Sequence, residues 1–235
     1  MVFGASIDLL SRCDLGIECP GPEALRRLEG LRADFPSTKR YPFLIGDREA
    51  VGAIRDYMAF NDREPPLIIA EAQRLDPAAW FASQESEARR EGFDEAELLG
   101  QWAGRSPEKG TISLHRDVLT GAIKPVVYIG LAELDEPWML PAVTGYGGWN
   151  ECPEAAVHCA VVRYWGGRYG AEIVGLASDT IECLVKNPPA TQEAAIQLAW
   201  EQYWYCRDIV DQGTETVADL AAGLLNSDYW YFWWD

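Results

Sequence analysis

The chain has 235 residues, of which 37 are acidic and 20 basic, and its formal net charge is −17. Such a charge argues against a nucleic-acid partner, because phosphate backbones are bound by clustered Lys and Arg side chains. The apolar stretches all fall short of the roughly 20 residues that a membrane-spanning helix needs, so no membrane partner is expected either.

The negative charge is concentrated toward the end of the chain. From residue 170 to residue 235, eleven acidic side chains stand against only two basic ones, Lys186 and Arg207. Three interpretations stay open: solubility through self-repulsion, a surface that attracts a basic protein partner, or an acidic cleft that binds a metal ion.

The cysteines and the start of the chain bear on the cellular compartment. Residues 1–8 have no basic region of the kind that opens a signal peptide, and they already contain Asp8. No C-x-x-C pair is present. We therefore expect a cytoplasmic protein with reduced and mostly buried thiols. The six cysteines are Cys13, Cys19, Cys152, Cys159, Cys183 and Cys206.

The first half of the chain predicts a few helices around one or two strands. The apolar run 41–46 ends in Gly and is followed by Asp47, a good N-cap for a helix to about Tyr57. Further helices are predicted from Pro65, from Ala78 and from Asp94, the last of them to about Trp102. They are interpreted as a covering layer whose charges form a solvated face: Glu85, Glu87, Arg89 and Arg90.

The second half has clearer signals, which we take in chain order. A buried strand is predicted over 124–131, then a helix from about Pro153 to the glycines at 166–170. The β-rich runs 171–176 and 180–186 predict a hairpin. Helices beginning at Thr191 and Thr216 follow, and the aromatic run 229–234 predicts a strand buried on both faces.

These elements favour an α+β fold, a mixed β-sheet with helices packed on one face. The order in the second half is strand, helix, hairpin, helix, helix, strand. We expect a mostly helical region over 1–117 and an α+β domain over 118–235, packed together as one compact unit.

A candidate site lies in the glycine-rich segment 146–153. Paired glycines let the backbone turn sharply, and the segment leads into a helix N-terminus. Anion binding there is opposed by Glu151 and Glu154. Trp149 and Asn150 offer instead an aromatic face and an amide to a neutral ligand or a peptide. The alternative is a rigid turn whose Trp packs inward.

A second candidate site is the segment 206–213, between two predicted helices. Asp208 and Asp211 stand three residues apart, a spacing that can direct two carboxylates at one cation or substrate, with Gln212 beside them. The alternative is that both aspartates cap the adjoining helix or turn.

Recognisable catalytic motifs are missing from the sequence. Phosphate-binding loops, dinucleotide fingerprints, zinc-protease motifs and the nucleophile elbow are all absent. His158 could activate Cys152, Cys159 or Cys206, but a thiol that packs as a small hydrophobe is the simpler interpretation. The catalytic residues stay unknown, and no cofactor and no metal are expected.

Four segments in the second half resemble the bacterial family catalogued as the DUF4253 domain, roughly over residues 124–235. The function of that family is undefined, so the resemblance implies a bacterial cytoplasmic protein and assigns no catalytic residue. The segments are 147–153 (GGWNECP), 163–170 (RYWGGRYG), 206–213 (CRDIVDQG) and 230–235 (WYFWWD).

Two hypotheses about function follow. The first is a non-catalytic interaction module, of the immunity or antitoxin kind, whose acidic surface covers a basic partner. The second is an enzyme or small-ligand binder with a cleft between the Trp149-Asn150 loop and the Asp208-Asp211 loop. It requires both loops to converge on one concave, partly polar pocket.

Overall fold

The computed structural model describes residues 13–61, 63–102 and 110–235. Residues 1–8, from which the absence of a signal peptide was inferred, lie outside this range. A mixed six-stranded sheet runs through the molecule in the order β1-β3-β2-β4-β5-β6. The strands are β1 (Cys13–Pro20), β2 (Arg40–Gly46), β3 (Val126–Glu133), β4 (Glu172–Leu176), β5 (Thr180–Leu184) and β6 (Tyr229–Trp233).

Nine α-helices are found in the described residues. They are α1 (Ala24–Thr38), α2 (Arg48–Phe60), α3 (Pro65–Ala72), α4 (Pro77–Arg90), α5 (Glu95–Leu99), α6 (Leu140–Thr144), α7 (Ala155–Tyr169), α8 (Gln192–Tyr205) and α9 (Val217–Leu224). The α+β fold class is therefore confirmed. None of the helices in the described ranges is long and apolar enough to cross a membrane.

Neighbouring strands are antiparallel except at one place, where β2 runs parallel to β4 and Leu44 pairs with Gly175. The sheet draws strands from both sides of residue 118, since β1 and β2 precede it and the other four strands follow it. The predicted hairpin is β4 and β5, joined by a short turn.

Several helix boundaries follow the predicted capping signals. The Asp47 carboxylate accepts hydrogen bonds from the backbone N–H groups of Glu49 and Ala50 at the start of α2. Thr191 and Thr216 cap α8 and α9 in the same way. At the end of α7, Gly170 takes a left-handed conformation and closes the helix.

Two large groups of buried side chains cover the two faces of the sheet. The larger contains most of the buried helix residues, together with Trp230, Phe232 and Trp234. The smaller contains Leu44, Val174 and Tyr229, and it is covered by α1. Thus α1 is the exception to the predicted single layer of helices, because its buried side chains Ala24 and Leu28 lie on the second face.

The aromatic strand β6 lies at one edge of the sheet and is buried less completely than predicted. Its side chains alternate between the two faces, as in any strand. Trp230 and Phe232 are almost fully buried, whereas 37% of Tyr231 is exposed. The prediction of burial on both faces is therefore wrong at Tyr231.

Candidate functional site

The two loops singled out in the sequence meet at Asp235. The Asn150 side-chain amide donates a hydrogen bond to the backbone carbonyl of Asp235 at 2.9 Å. The backbone N–H of Asp235 donates in turn to Asp208 Oδ2 at 3.0 Å. The Asp208 carboxylate is therefore used inside the protein, and its other oxygen accepts from Gln212 Nε2 at 2.9 Å.

The second loop is not a turn with helix caps. Residues Ile209–Thr214 form one turn of π-helix, and the Asp208 side chain makes no capping hydrogen bond to it. The capping role predicted for Asp208 is therefore wrong, and the carboxylate binds Asp235 and Gln212 instead. Turns of π-helix are rare and occur frequently at functional sites.

Asp211 lies in a crowded negative environment. Partial burial raises the pKa of its carboxyl group, Arg207 lowers it, and the charges of Asp208 and Glu151 raise it further. The carboxylates of Glu151 and Asp211, one from each loop, therefore repel each other electrostatically. In the described residues no three side chains of metal-ligand type cluster closely enough to hold a metal ion.

Next to this junction is a concave cleft of about 430 Å³. Its lining residues are Trp80, Gln84, Glu87, Glu91, Asn150, Glu151, Trp204, Tyr205 and Arg207. Helix α4 contributes Trp80, Gln84 and Glu87, and Glu91 follows it directly. We call this the acidic cleft, because three glutamates line it against one basic side chain.

Arg207 stays close to an aromatic ring of the cleft. Its guanidinium carbon is 5.7 Å from the ring centroid of Trp204, a cation–π distance. The side chains of Glu87, Glu91 and Glu151 are exposed. The acidic cleft thus combines hydrated carboxylates with indole rings, the two kinds of group that attract Lys and Arg side chains.

Trp149 does not share this cleft with Asn150. Asn150 has a φ of +45°, a left-handed conformation in which the chain reverses, so the two neighbouring side chains diverge. The Trp149 ring stacks instead on Tyr57 of α2, with ring centroids 4.6 Å apart and planes 7° apart. Trp149 is half-buried and lines a separate pocket of about 370 Å³ with Tyr57, whereas Asn150 and Glu151 line the acidic cleft.

Of the three cysteines considered as nucleophiles, the structure brings Cys152 to His158. Cys152 Sγ lies 3.4 Å from His158 Nε2, and His158 Nδ1 lies 2.6 Å from the Tyr205 hydroxyl. All three side chains are buried. Burial lowers the pKa of His158 to about 3 and raises the pKa of the Cys152 thiol.

The available hydrogen-bond donors and acceptors favour a structural role for the contacts among Cys152, His158 and Tyr205. If Tyr205 donates to His158 Nδ1, then Nε2–H is directed to the Pro153 carbonyl and Cys152 Sγ, and only a weak S–H donor is left over. The opposite tautomer would bury the Tyr205 O–H donor without an acceptor in the described structure, at a cost of about 1–3 kcal/mol. The favoured tautomer cannot take a proton from Cys152, so it does not create a nucleophile.

Sequence reasoning missed the contribution of α4 to the acidic cleft. Glu87 is exposed, as the predicted solvated face requires. That prediction does not show which residues lie across the cleft from Glu87. Trp80 and Glu91 lie more than 100 residues before Trp204, and no local pattern connects positions so far apart. The pairing becomes visible only when α4 packs against α8.

Comparison with known proteins gives one match. Residues 128–235 match the model of a family described as "Domain of unknown function (DUF4253)". No curated protein and no solved structure matches the chain. The match begins within β3 and includes both loops and strand β6, the segments on which the resemblance was based. The resemblance to the DUF4253 domain is therefore confirmed over residues 128–235.

Proposed function

We propose that this protein is a non-catalytic interaction module and that its acidic cleft receives basic side chains of a protein partner. The observation that carries the proposal is the composition of the cleft, where Glu87, Glu91 and Glu151 surround the rings of Trp80 and Trp204. A Lys or Arg side chain fits such a cleft, since its charge is balanced by carboxylates and its aliphatic part covers an indole.

The charge of the whole chain supports the same proposal. A net charge of −17 accelerates the encounter with a positively charged partner, and the local carboxylates then select the orientation of the complex. The partner we propose is a basic protein, for example a nuclease whose nucleic-acid-binding surface is covered in the manner of an immunity protein or antitoxin.

The state of the thiols supports a cytoplasmic location. All six cysteines are free and buried. Unpaired thiols are typical of proteins in reducing compartments.

The direct test is the affinity of a capped tetra-arginine peptide, measured by isothermal titration calorimetry at low and at physiological salt. We expect the triple variant Glu87→Gln, Glu91→Gln, Glu151→Gln to bind the peptide about tenfold more weakly at low salt. Exposed ion pairs contribute a fraction of a kcal/mol each, so three of them together reach that size.

The matched control removes the same charge elsewhere. Glu29, Glu64 and Glu193 are exposed and do not line the acidic cleft. Their triple Gln variant should lose less than twofold in affinity. Equal losses in the two triple variants would contradict the proposal, because they would mean that the peptide senses only the net charge of the molecule.

A further inference from the structure

A second cleft lies at the carboxyl ends of strands β2 and β4. It encloses about 670 Å³. Its walls come from the end of β2, the start of α2, the segment 110–124, the turn between β4 and β5, and strand β6. We call it the switch cleft. It lies beside the carboxyl ends of the parallel strands β2 and β4, where the chain leaves the two strands in different directions.

This position is where sheets that contain parallel strands tend to bind ligands. The chain leaves β2 into α2 and leaves β4 into the hairpin turn, so the two connections separate and a crevice opens between them. Asp47 lies at the first connection and Asp179 at the second, and both line the cleft.

The basic side chains that line the switch cleft are already engaged. Lys124 Nζ lies 2.8 Å from Asp47 Oδ2, an ion pair inside the cleft wall. Arg116 Nη1 donates to the backbone carbonyl of Gly121 at 3.0 Å. Three further carboxylates line the cleft without an ion pair within the described part of the chain: Glu49, Asp117 and Asp179.

Two hydroxyl groups fix the position of the Asp179 carboxylate in the cleft. Its Oδ1 accepts hydrogen bonds from Ser178 Oγ at 3.1 Å and from Thr180 Oγ1 at 3.0 Å. Burial raises the pKa of Tyr231, which lines the same cleft, and the charge of Asp179 raises it further. A carboxylate fixed by two hydroxyl groups keeps its second oxygen oriented without any loss of side-chain freedom upon binding.

Strand β6 adds two aromatic rings to the cleft. Tyr229 and Tyr231 are two residues apart, so they lie on the same face of the strand. Tyr231, 37% exposed, is the most solvent-accessible ring of the strand. Fixed carboxylates beside tyrosine rings are the usual arrangement for binding organic ammonium groups.

A buried carboxyl group supports the wall behind Tyr229. Glu182 is inaccessible to solvent, and its Oε1 accepts from Tyr229 Oη at 2.7 Å and from Ser113 Oγ at 2.5 Å. Its Oε2 has no hydrogen-bond partner among the described residues. Tyr229 and Ser113 both line the switch cleft, so the Glu182 carboxyl group lies directly behind the cleft wall.

We propose that the switch cleft binds a small organic cation, with its ammonium group between the Asp179 carboxylate and the Tyr231 ring. The hydroxyl group of Thr111, which also lines the cleft, suits a polar substituent of such a ligand. This site is separate from the acidic cleft, and the proposal does not depend on the proposed function.

The test uses choline, butylamine and the uncharged isostere of choline, 3,3-dimethylbutan-1-ol. Calorimetry or ligand-observed NMR should give saturable binding of at least one amine with a dissociation constant below about 10 mM, the range of a weak specific site. The isostere should bind at least fivefold more weakly than choline. Absence of saturable binding for both amines, or equal binding of choline and its isostere, would overturn the proposal.

Variants locate the site. Asp179→Asn keeps an acceptor for Ser178 and Thr180 but removes the charge, so it should weaken amine binding at least fivefold. Asp135→Asn, an exposed carboxylate outside the cleft, should change it less than twofold. Tyr231→Phe should retain binding and Tyr231→Ala should lose it. Equal effects of Asp179→Asn and Asp135→Asn would contradict the assignment.

The same titration separates the two proposals. The triple variant of Glu87, Glu91 and Glu151 should bind the amine as the wild type does, because the acidic cleft is elsewhere. A loss of amine binding in that variant would show that the amine occupies the acidic cleft, and the switch-cleft site would be rejected.

Discussion

Two buried ionisable groups, one on each face of the sheet, are held in opposite ways. His158 lies among the aromatic rings of the larger core, and both of its ring nitrogens have partners. Glu182 lies on the second face, and one of its oxygens has no partner within residues 13–61, 63–102 and 110–235. A fully bonded buried group stabilises the fold, whereas a partly bonded one signals a region where packing is not optimised for stability alone.

The difference matches the surroundings of the two groups. His158 is in contact with Tyr146, Tyr205 and Trp234, whose rings pack against it at centroid distances of 5.2–5.4 Å. Glu182 lies behind the wall of the switch cleft. The aromatic rings around His158 therefore form a closely packed centre beside the two loops. The acidic cleft and the switch cleft, in contrast, hold exposed charges that other molecules can reach.

The largest expected effect is a loss of stability from a substitution at Gly147, whose backbone packs against His158. A Cβ atom at Gly147 would lie 2.0 Å from the Pro153 carbonyl and 2.8 Å from the His158 ring, and φ is +103°. Gly147→Ala should lower the free energy of unfolding by more than about 3 kcal/mol, through both clash and backbone strain. Urea denaturation followed by Trp fluorescence measures it.

The matched control is Gly167→Ala. Gly167 lies inside α7, and no atom is near the position of its Cβ. This substitution should stabilise the protein by about 0.5–1 kcal/mol, because Ala is the better helix former. A Gly147→Ala variant as stable as the wild type would mean that the 146–153 segment is not fixed over His158.

The next effect concerns His158 and acid. Burial lowers its pKa to about 3, below the ordinary 6.5, so the unfolded chain binds the extra proton first. The stabilisation is therefore complete above pH 6.5 and is lost as the pH falls toward 3. Its size is a few kcal/mol, since each pKa unit is worth about 1.4 kcal/mol.

His158→Phe should remove this pH dependence and cost about 2–4 kcal/mol at pH 7, because Tyr205 and Cys152 lose their partner. Unfolding free energies of both proteins between pH 4 and pH 8 provide the measurement. If the wild type and the variant lose stability in parallel on acidification, His158 is not the buried group that titrates.

Glu182 should show a smaller effect of opposite sign. Burial raises the pKa of its carboxyl group, and the hydrogen bonds from Ser113 and Tyr229 limit the rise. The folded state therefore favours the protonated form, so stability is highest below the ordinary pKa and falls as the pH rises through the raised value. Glu182→Gln should flatten that part of the profile. An unchanged profile would show that Glu182 keeps an ordinary pKa.

The fold was predictable from local signals where those signals are strong. The Thr caps of α8 and α9 and the glycine that ends α7 locate three helices within a few residues. Strand β1 and helix α1 were missed individually. Polar residues interrupt β1, and α1 is mostly exposed with only two buried side chains, so neither has a clear apolar pattern.

The candidate sites were predictable only in part. The sequence pointed to Asn150 and Asp208, and the structure brings both to Asp235. It could not show that Trp149 turns away, because that depends on the left-handed conformation of Asn150 and on Tyr57 from a distant helix. Nor could it show the switch cleft, whose walls come from four separate segments of the chain.

The most direct test of the proposed acidic cleft is a proton–nitrogen NMR spectrum of the ten Trp indole groups during titration with the tetra-arginine peptide. Single Trp→Phe variants assign the signals. The indole signals of Trp80 and Trp204 should shift with saturation, while those of Trp230 and Trp234 in the aromatic centre stay in place. Shifts of all signals to a similar extent, or of none at saturating peptide, would contradict binding in the acidic cleft.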